Sequence, residues 1–226
     1  MPFDADRVGT VTIDSYSTVV DFRAAARALD DHVDEPDSVA AVWRERSLTY
    51  GAMSNYLGGY EPFWELLGHA LEYALAAHGV DLPRDIRDEV REVYLSLPAF
   101  DDVRVGLERV VEGGYDVYVL SNGSPDMLDS MVANAGIDDL IVDTISVDEV
   151  GKYKVHPEVY RHAAARTGTP VREIAHASAG WFDACGAANV GMQGVWMNRT
   201  DAPPETWGPR PDLTVSSFDD FADALE

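Results

Sequence analysis

Cysteine and lysine are both scarce in this sequence. Its 226 residues include one cysteine, Cys185, and two lysines, Lys152 and Lys154. A single cysteine excludes an internal disulfide framework and a cysteine-rich zinc site, and we interpret Cys185 as a small buried hydrophobe. His156 and His176 stand in no partner pattern, so we expect structural roles for both.

Long apolar stretches are also missing. No run of 18 apolar residues occurs, which excludes a transmembrane helix and makes a membrane partner unexpected. Residues 1–10 contain neither the basic region nor the apolar core of a secretory signal peptide. We therefore expect a cytoplasmic protein.

Positive charge is scarce, since 17 lysines and arginines face 40 aspartates and glutamates, for a formal net charge of −23. Such a charge opposes binding to phosphate backbones, so no nucleic-acid partner is expected. The acidic residues are spread along the chain rather than gathered in a tail. A dispersed acidic excess is typical of surfaces adapted to high salt, where screening weakens self-repulsion. We predict a halophilic protein; the alternative is an ordinary acidic protein.

Alternating strand and helix patterns predict the fold class. Beyond residue 98, short β-branched or apolar runs alternate with amphipathic helical stretches, which predicts an α/β fold with a Rossmann-like, doubly wound parallel sheet. A block of helical patterns at 22–97 interrupts this alternation after the first strand, and we interpret it as an inserted helical cap domain. The core domain would then comprise residues 1–21 and 98–226. The predicted strands cover residues 8–14, 115–120, 140–147, 174–178, 194–198 and 213–215.

Polar residues follow four of the predicted strands. They are Asp14, Ser121-Asn122, Lys154 and the segment 178–183. In open α/β sheets ligands bind outside the carboxyl ends of the strands, so these side chains should meet at one site. A lysine beside Asp14 would keep its carboxylate ionised, and an ionised, partly desolvated carboxylate can act as a nucleophile.

Four short motifs occur in a fixed order along the core. Residues 14–18 read DSYST, residues 120–123 read LSNG, residues 153–154 read YK, and Asp183 comes last. Each motif alone has low specificity, but their order is specific.

Two further motifs lie in the predicted cap, WRERSLTY at 43–50 and YEPFW at 60–64. With these six motifs, the sequence resembles the haloacid dehalogenase superfamily over nearly its whole length. Within that superfamily it is most similar to the L-2-haloacid dehalogenase branch.

The resemblance implies a hydrolytic dehalogenase of small L-2-haloalkanoic acids. Asp14 would attack C2 of the substrate, expel halide and form an aspartyl ester, which water would hydrolyse to a 2-hydroxy acid. Arg44 of the cap would hold the halide together with Asn122 and Phe182, since an arginine fork is a good anion site. The resemblance also implies that no metal or other cofactor takes part and that the protein is a homodimer.

The resemblance also implies supporting roles for other residues. Lys154 would hold Asp14 ionised, and Asp183 would orient Lys154 and help activate the hydrolytic water. Ser121 would bind the substrate carboxylate. The other implied site residues are Tyr16 and Thr18, which position Asp14; Tyr160 and Ser178, which support the network; and Leu48 and Phe63, which form an apolar wall.

Two alternative functions stay open at this point. A phosphatase on the same scaffold is disfavoured. Such enzymes carry the sequence Asp-x-Asp at the first motif, and here Tyr16 stands in place of the second acid. Their last motif usually brings two carboxylates to Mg²⁺, whereas residues 178–183 contain one. The other alternative is a catalytically weak relative that acts as a binding protein.

Three residues depart from the pattern of the branch. Ser17 replaces the usual glycine, which we expect the loop to tolerate if the φ angle is negative. Gly180 replaces an asparagine that contacts substrate and water in the family, which puts hydrolysis of the ester in question. Glu45 stands where glutamine is frequent, and its carboxylate is expected to pair with Arg44 and weaken halide binding.

Overall fold

A computed structural model describes residues 2–226 of the chain. It contains a six-stranded sheet in the order β3-β2-β1-β4-β5-β6, with every neighbouring pair parallel. Helices flank the sheet, which confirms the predicted doubly wound α/β class. The strands are β1 Thr10–Ile13, β2 Asp116–Ser121, β3 Asp143–Ser146, β4 Ile174–Ser178, β5 Gln193–Met197 and β6 Leu213–Val215.

Eight α-helices connect or cover these strands in the described chain. Most begin or end where the sequence carries a proline or glycine: α1, α5 and α6 have proline in the first turn and a left-handed glycine as C-cap. The helices are α1 Pro36–Leu57, α2 Phe63–Ala77, α3 Arg84–Glu92, α4 Val103–Glu112, α5 Pro125–Ala135, α6 Pro157–Thr167, α7 Trp181–Val190 and α8 Phe218–Leu225.

Strand β1 lies at the centre of the sheet and all four of its residues are buried. In the register, Ile13 stands beside Val119 of β2 and Ala177 of β4. Asp14, one residue further, therefore lies at the carboxyl edge of the sheet, where the ends of β2 and β4 also lie. This arrangement places the polar strand ends of the sequence on one side of the core.

The segment between β1 and α4 is helical, as predicted. Its helices α1 and α2 pack against each other, and the Trp43 indole, fully buried, donates a hydrogen bond to the Leu67 carbonyl at 2.8 Å. The Tyr94 ring meets the Trp43 ring edge-on with centroids 4.9 Å apart. The domain boundaries at 21/22 and 97/98 stay a prediction.

The first helical stretch of that segment differs from the expected α-helix. Residues Phe22–Leu29 form a 3-10 helix, whose first turn is capped by the Asp21 carboxylate through the Arg23 amide at 3.0 Å. The tighter 3-10 turn is common in short connecting segments. Shorter 3-10 turns occur at Ala5–Arg7, Val93–Leu95, Val147–Glu149 and Val171–Glu173. Within the described chain, no helix combines the length and apolar character needed to cross a membrane.

Candidate active site

Asp14 lies just beyond the end of β1, with its side chain 17% exposed. Its backbone N–H continues the sheet pairing by donating to the Ala177 carbonyl at 2.9 Å. One carboxylate oxygen accepts a hydrogen bond from the Thr18 hydroxyl at 2.7 Å, and the other accepts one from Lys154 Nζ at 3.0 Å. The Thr18 hydroxyl in turn accepts from the Ala179 N–H at 2.8 Å. These contacts fix the orientation of the carboxylate.

Lys154 bridges two carboxylates. Its buried Nζ donates to Asp14 at 3.0 Å and to Asp183 at 2.8 Å. Burial alone would lower the pKa of Lys154, but the charges of Asp14 and Asp183 outweigh burial and hold it above the ordinary value. The chain thus places a permanent ammonium cation between the two acids.

Asp183 lies in the first turn of α7, and both of its carboxylate oxygens accept hydrogen bonds. Its second oxygen accepts from the Tyr160 hydroxyl at 2.7 Å, and the oxygen shared with Lys154 also contacts His176 Nε2 at 3.0 Å. Burial would raise the pKa of Asp183, but Lys154 and His176 hold it far below the usual range. Burial, with the adjacent Asp183 charge, raises the pKa of Tyr160 well above normal, so its phenol stays protonated and donating.

His176, for which the sequence shows no partner pattern, belongs to this network. Its other ring nitrogen contacts the Thr12 hydroxyl at 2.9 Å, so the ring is held between β1 and Asp183. His156 caps α6 by accepting from the Glu158 N–H at 3.3 Å, and it also lines the cavity described below. The missed signal for His176 was its place on β4, two residues before Ser178.

Hydroxyl and amide groups hold the loop after β2. The Ser121 hydroxyl lies 2.6 Å from the Ser15 hydroxyl and accepts from the Gly123 N–H at 2.9 Å. The Asn122 side-chain oxygen accepts from the Lys154 N–H at 3.1 Å. The loop after β2 and the loop that carries Lys154 are therefore tied together.

The strand ends face a cavity of about 700 Å³ that lies between the sheet edge and α1. Eleven of the thirteen predicted site residues line it; Thr18 and Tyr160 do not, and instead contact Asp14 and Asp183 from behind. The lining predicted residues are Asp14, Tyr16, Arg44, Leu48, Phe63, Ser121, Asn122, Lys154, Ser178, Phe182 and Asp183.

Sequence reasoning missed other lining residues. Several are on the same face of α1 as Arg44 and Leu48, at helical spacing, so the periodicity of residues 44–56 was a usable signal. The missed residues are Ser47, Ala52, Asn55, Tyr56, Tyr94, Val155, His156 and Pro157.

Arg44 supplies the cationic side of the cavity. Its guanidinium lies 4.4 Å from the centroid of the Phe22 ring. Within residues 2–226 the guanidinium forms no hydrogen bond or ion pair. Burial lowers the pKa of Arg44, against the influence of Tyr94 and Asp14, but an arginine stays charged at any ordinary pH. An unpaired, partly buried cation facing a cavity is suited to binding an anion. The expected pairing of Glu45 with Arg44 is wrong, because Glu45 is exposed and forms no ion pair within the described chain.

Tyr16 occupies the position of the second acid in phosphatases of this scaffold. Its ring packs on Tyr94, with centroids 5.7 Å apart. Burial, followed by the Asp14 charge, raises the pKa of Tyr16 above its usual value. The phenol therefore stays neutral at ordinary pH.

The condition of a negative φ at Ser17 is not met: its φ angle is +72°, in the left-handed region that favours glycine. A side chain at Gly180, by contrast, would meet only ordinary contacts, at 3.4 Å from the Ser178 hydroxyl and 3.5 Å from the Asp183 Cβ. In residues 2–226, no cluster of three or more histidine, cysteine, aspartate or glutamate side chains is arranged to hold a metal ion.

Known proteins are similar to this chain in sequence and in fold. The profile of the haloacid dehalogenase-like hydrolase family matches residues 3–191. An (S)-2-haloacid dehalogenase 2 of Pseudomonas sp. (strain CBS-3) is 31% identical over 216 residues, which cover 95% of this chain and 94% of that protein.

Two solved structures extend the similarity to three dimensions. A crystal structure of an L-2-haloacid dehalogenase is 30% identical, with a TM-score of 0.92 over 96% of this chain and 98% of the other. The L-2-haloacid dehalogenase of Xanthobacter autotrophicus, solved with chloropropionic acid covalently bound, is 27% identical with a TM-score of 0.90 and the same coverage. Because the family profile and these relatives match most of its length, the chain belongs to the haloacid dehalogenase-like hydrolase family.

Proposed function

We propose that the protein is a hydrolytic dehalogenase of small L-2-haloalkanoic acids. The observation that carries the proposal is the Asp14 carboxylate, oriented by Thr18 and Lys154 and open to a cavity that also contains the unpaired Arg44 guanidinium. A nucleophile beside an anion site suits a displacement that expels halide. The covalent adduct seen in the Xanthobacter relative supports the same chemistry here.

In the first step, an Asp14 carboxylate oxygen attacks C2 of the substrate. A C–O ester bond forms, the carbon–halogen bond breaks, and the halide ion leaves with the bonding electron pair. Arg44, Asn122 and Phe182 receive the halide. Ser121 and the Lys154 ammonium hold the substrate carboxylate.

The substrate's substituent rests on the apolar wall that Leu48 and Phe63 form. Apolar surroundings strengthen the carboxylate nucleophile because they remove its hydration shell.

In the second step, water attacks the ester carbonyl carbon of Asp14. The bond between this carbonyl carbon and the bridging ester oxygen breaks. The substrate leaves as a 2-hydroxy acid, and the Asp14 carboxylate is regenerated with one proton released to solvent. Asp183 orients Lys154 and the water, while Tyr160, Ser178 and His176 hold the surrounding network. Tyr16 and Thr18 keep Asp14 in place during both steps.

The donor set supports a reaction without a metal ion. The site between Asp14 and Asp183 is filled by the Lys154 ammonium, and both oxygens of Asp183 already accept hydrogen bonds. Mg²⁺ requires several free oxygen ligands, so these residues do not fit it well. The neutral Tyr16 also lacks the carboxylate that a phosphate leaving group would need as its proton donor.

The test measures halide release from L-2-chloropropionate and L-2-bromopropionate in the presence of EDTA. We expect turnover by the wild type and a loss of about a thousandfold or more in Asp14→Asn. Asp129→Asn is the matched control, because Asp129 is exposed on α5 and outside the cavity; it should keep full activity.

Other outcomes are equally informative. A burst of about one halide per active site followed by arrest would show that Gly180 impairs ester hydrolysis. If instead no halide is released and p-nitrophenyl phosphate is hydrolysed only with added Mg²⁺, the proposal is wrong and the phosphatase alternative is correct. Binding of haloacids with no turnover at all would favour the binding-protein alternative.

We further propose a cytoplasmic, halophilic homodimer. The resemblance supports the dimer, and so do Met53 and Leu57, which leave apolar surface exposed on α1 (45% and 82%). Light scattering of the purified protein would test the dimer, and cell fractionation would test the location.

A further inference from the structure

The cavity is larger than a short haloacid needs. Its volume of about 700 Å³ lies within the range of pockets that bind drug-sized ligands, whereas 2-chloropropionate carries only a methyl group at C2. Four large apolar side chains of its lining are left exposed: Leu48 at 45%, Tyr56 at 84%, Val155 at 44% and Phe182 at 58%. Contiguous exposed apolar surface of this kind marks a binding region.

One wall of the cavity is a single face of α1. Arg44, Leu48, Ala52 and Tyr56 are spaced by four residues, so each is turned by only about 40° around the helix axis from the one before, and all four line the cavity. Arg44 lines the same cavity as Asp14 and marks its reactive end. At 1.5 Å per residue, Leu48 lies about 6 Å and Tyr56 about 18 Å further along the axis. The face therefore runs from the nucleophile to the mouth of the cavity.

The opposite wall is apolar from the reactive groups outward. Val155 follows Lys154 directly, and Phe182 directly precedes Asp183. Both side chains line the cavity. A hydrocarbon chain that leaves C2 of a bound substrate thus meets apolar surface on both sides.

Two polar lining residues near this path are already engaged. The Asn55 amide donates to the Tyr153 carbonyl at 3.0 Å and accepts from the Tyr153 N–H at 3.0 Å. The His156 ring caps α6. The Asn55 oxygen, one Asn55 N–H and His156 Nδ1 thus already have protein partners, so an apolar substituent beside them leaves these atoms hydrogen-bonded.

We propose that this enzyme prefers L-2-haloacids with a longer alkyl chain at C2, from butyl to octyl, and that the face of α1 ending at Tyr56 binds that chain. This inference rests on the proposed function. It assigns Leu48 to the start of the chain and Tyr56 and Val155 to its outer part. Because each methylene buried on the protein strengthens binding in the transition state, kcat/KM should rise with chain length.

The test compares kcat/KM for L-2-bromopropionate, L-2-bromohexanoate and L-2-bromodecanoate at micromolar concentration. We expect roughly a tenfold gain from propionate to hexanoate and a further gain for decanoate, since one well-placed methylene alone can be worth tenfold. In Tyr56→Ser, the gain for decanoate should fall to near that for hexanoate.

Leu57→Ser is the matched control, because Leu57 is the next residue of α1, is 82% exposed and does not line the cavity. It should leave all three rates unchanged. Equal or falling kcat/KM along the series, with L-2-bromopropionate still turned over, would overturn this inference and leave the proposed function intact. No halide release from any substrate would instead overturn the proposed function.

A third result would also overturn the inference. If Tyr56→Ser and Leu57→Ser both lower all three rates together, and light scattering shows that both variants lose a dimer, the apolar mouth is a subunit contact. Binding of decanoate to the Asp14→Asn variant, measured by calorimetry, gives a check that needs no turnover. Decanoate should bind at least tenfold more tightly than propionate.

Discussion

Ser17 is a single residue whose backbone conformation conflicts with its side chain. A φ of +72° brings Cβ too close to the carbonyl oxygen and costs a non-glycine residue about 1–2 kcal/mol. The turn is nevertheless retained, because the Ser17 N–H donates to the Val20 carbonyl at 2.8 Å. The loop that carries Asp14 and Thr18 therefore contains a local strain that glycine would relieve.

We predict that Ser17→Gly raises the free energy of unfolding by about 0.5–1 kcal/mol, since the greater entropy of unfolded glycine offsets part of the relieved strain. Urea denaturation would measure the change. Ser17→Ala is the control: it keeps Cβ and should bring no gain. A Ser17→Gly protein no more stable than Ser17→Ala would contradict the strain argument.

The ion pairs of Asp183 predict a pH dependence of stability. Its pKa is held low in the folded state by Lys154 and His176, although burial opposes this. A lowered folded pKa contributes stability that is complete above the unfolded value of about 3.9 and is lost as pH falls below it. Lys154, whose folded pKa is raised, contributes stability that is lost only as pH rises above its ordinary value.

We predict that the difference in unfolding free energy between wild type and Asp183→Asn is constant from pH 5 to 7. Below about pH 4 it should shrink by up to 1.4 kcal/mol per pH unit. Denaturation curves at several pH values would measure it, and Asp129→Asn, on the exposed face of α5, serves as the reference. A difference that stays the same down to pH 3 would refute the assigned cause.

At the scale of elements, the approach of β5 to α7 depends on one glycine. A Cβ built on Gly194 would lie 2.1 Å from the Ala184 carbonyl oxygen and 3.1 Å from the Ala188 Cβ. Since α7 carries Asp183 and Phe182, this contact sets how closely the helix of the active site packs on the sheet. Any side chain at position 194 would push α7 away from the sheet.

We predict that Gly194→Ala lowers the free energy of unfolding by about 2–3 kcal/mol through overpacking. It should also reduce halide release, because α7 shifts with Asp183. Gly9→Ala, whose new Cβ would find its nearest neighbour at 3.7 Å, should change stability by less than about 0.5 kcal/mol. Equal stability of the two variants would show that α7 moves at no cost.

At the scale of the whole molecule, the main electrostatic feature is the net charge of −23. Several arginines form ion pairs with acidic side chains on the surface. Arg109, for example, pairs with Asp223 and Glu226 at 2.6 Å each. Because acids outnumber basic residues 40 to 17, a large excess of negative charge remains even where one arginine pairs with several acids. Their mutual repulsion destabilises the compact state at low ionic strength.

We predict a clear increase in the unfolding temperature between roughly 0.1 M and 3 M potassium chloride, because the Debye length falls from about 10 Å to below 3 Å over this range. Circular dichroism would follow the transition. Potassium chloride is preferable to sulfate, which strengthens apolar burial independently of charge. Equal unfolding temperatures would refute the halophilic interpretation.

The sequence by itself determined the order of the elements and the nature of the chemistry. Alternating patterns are local properties, so they identified a parallel sheet with a helical insertion, although strand ends such as 140–147 against Asp143–Ser146 shifted by a few residues. Asp14, Lys154 and Asp183 were found because each follows a buried strand or its loop, and the carboxyl ends of parallel strands share one edge.

Only the tertiary structure decided what lies across from that edge. Whether Arg44 pairs with Glu45 or faces Asp14 depends on how α1 packs over the sheet, which no local pattern encodes. The same packing brought His176 against Asp183 and aligned Leu48 with Tyr56 along the cavity. The positive φ of Ser17 likewise follows from long-range packing of the Asp14 loop, because local propensity alone favours a negative angle for serine.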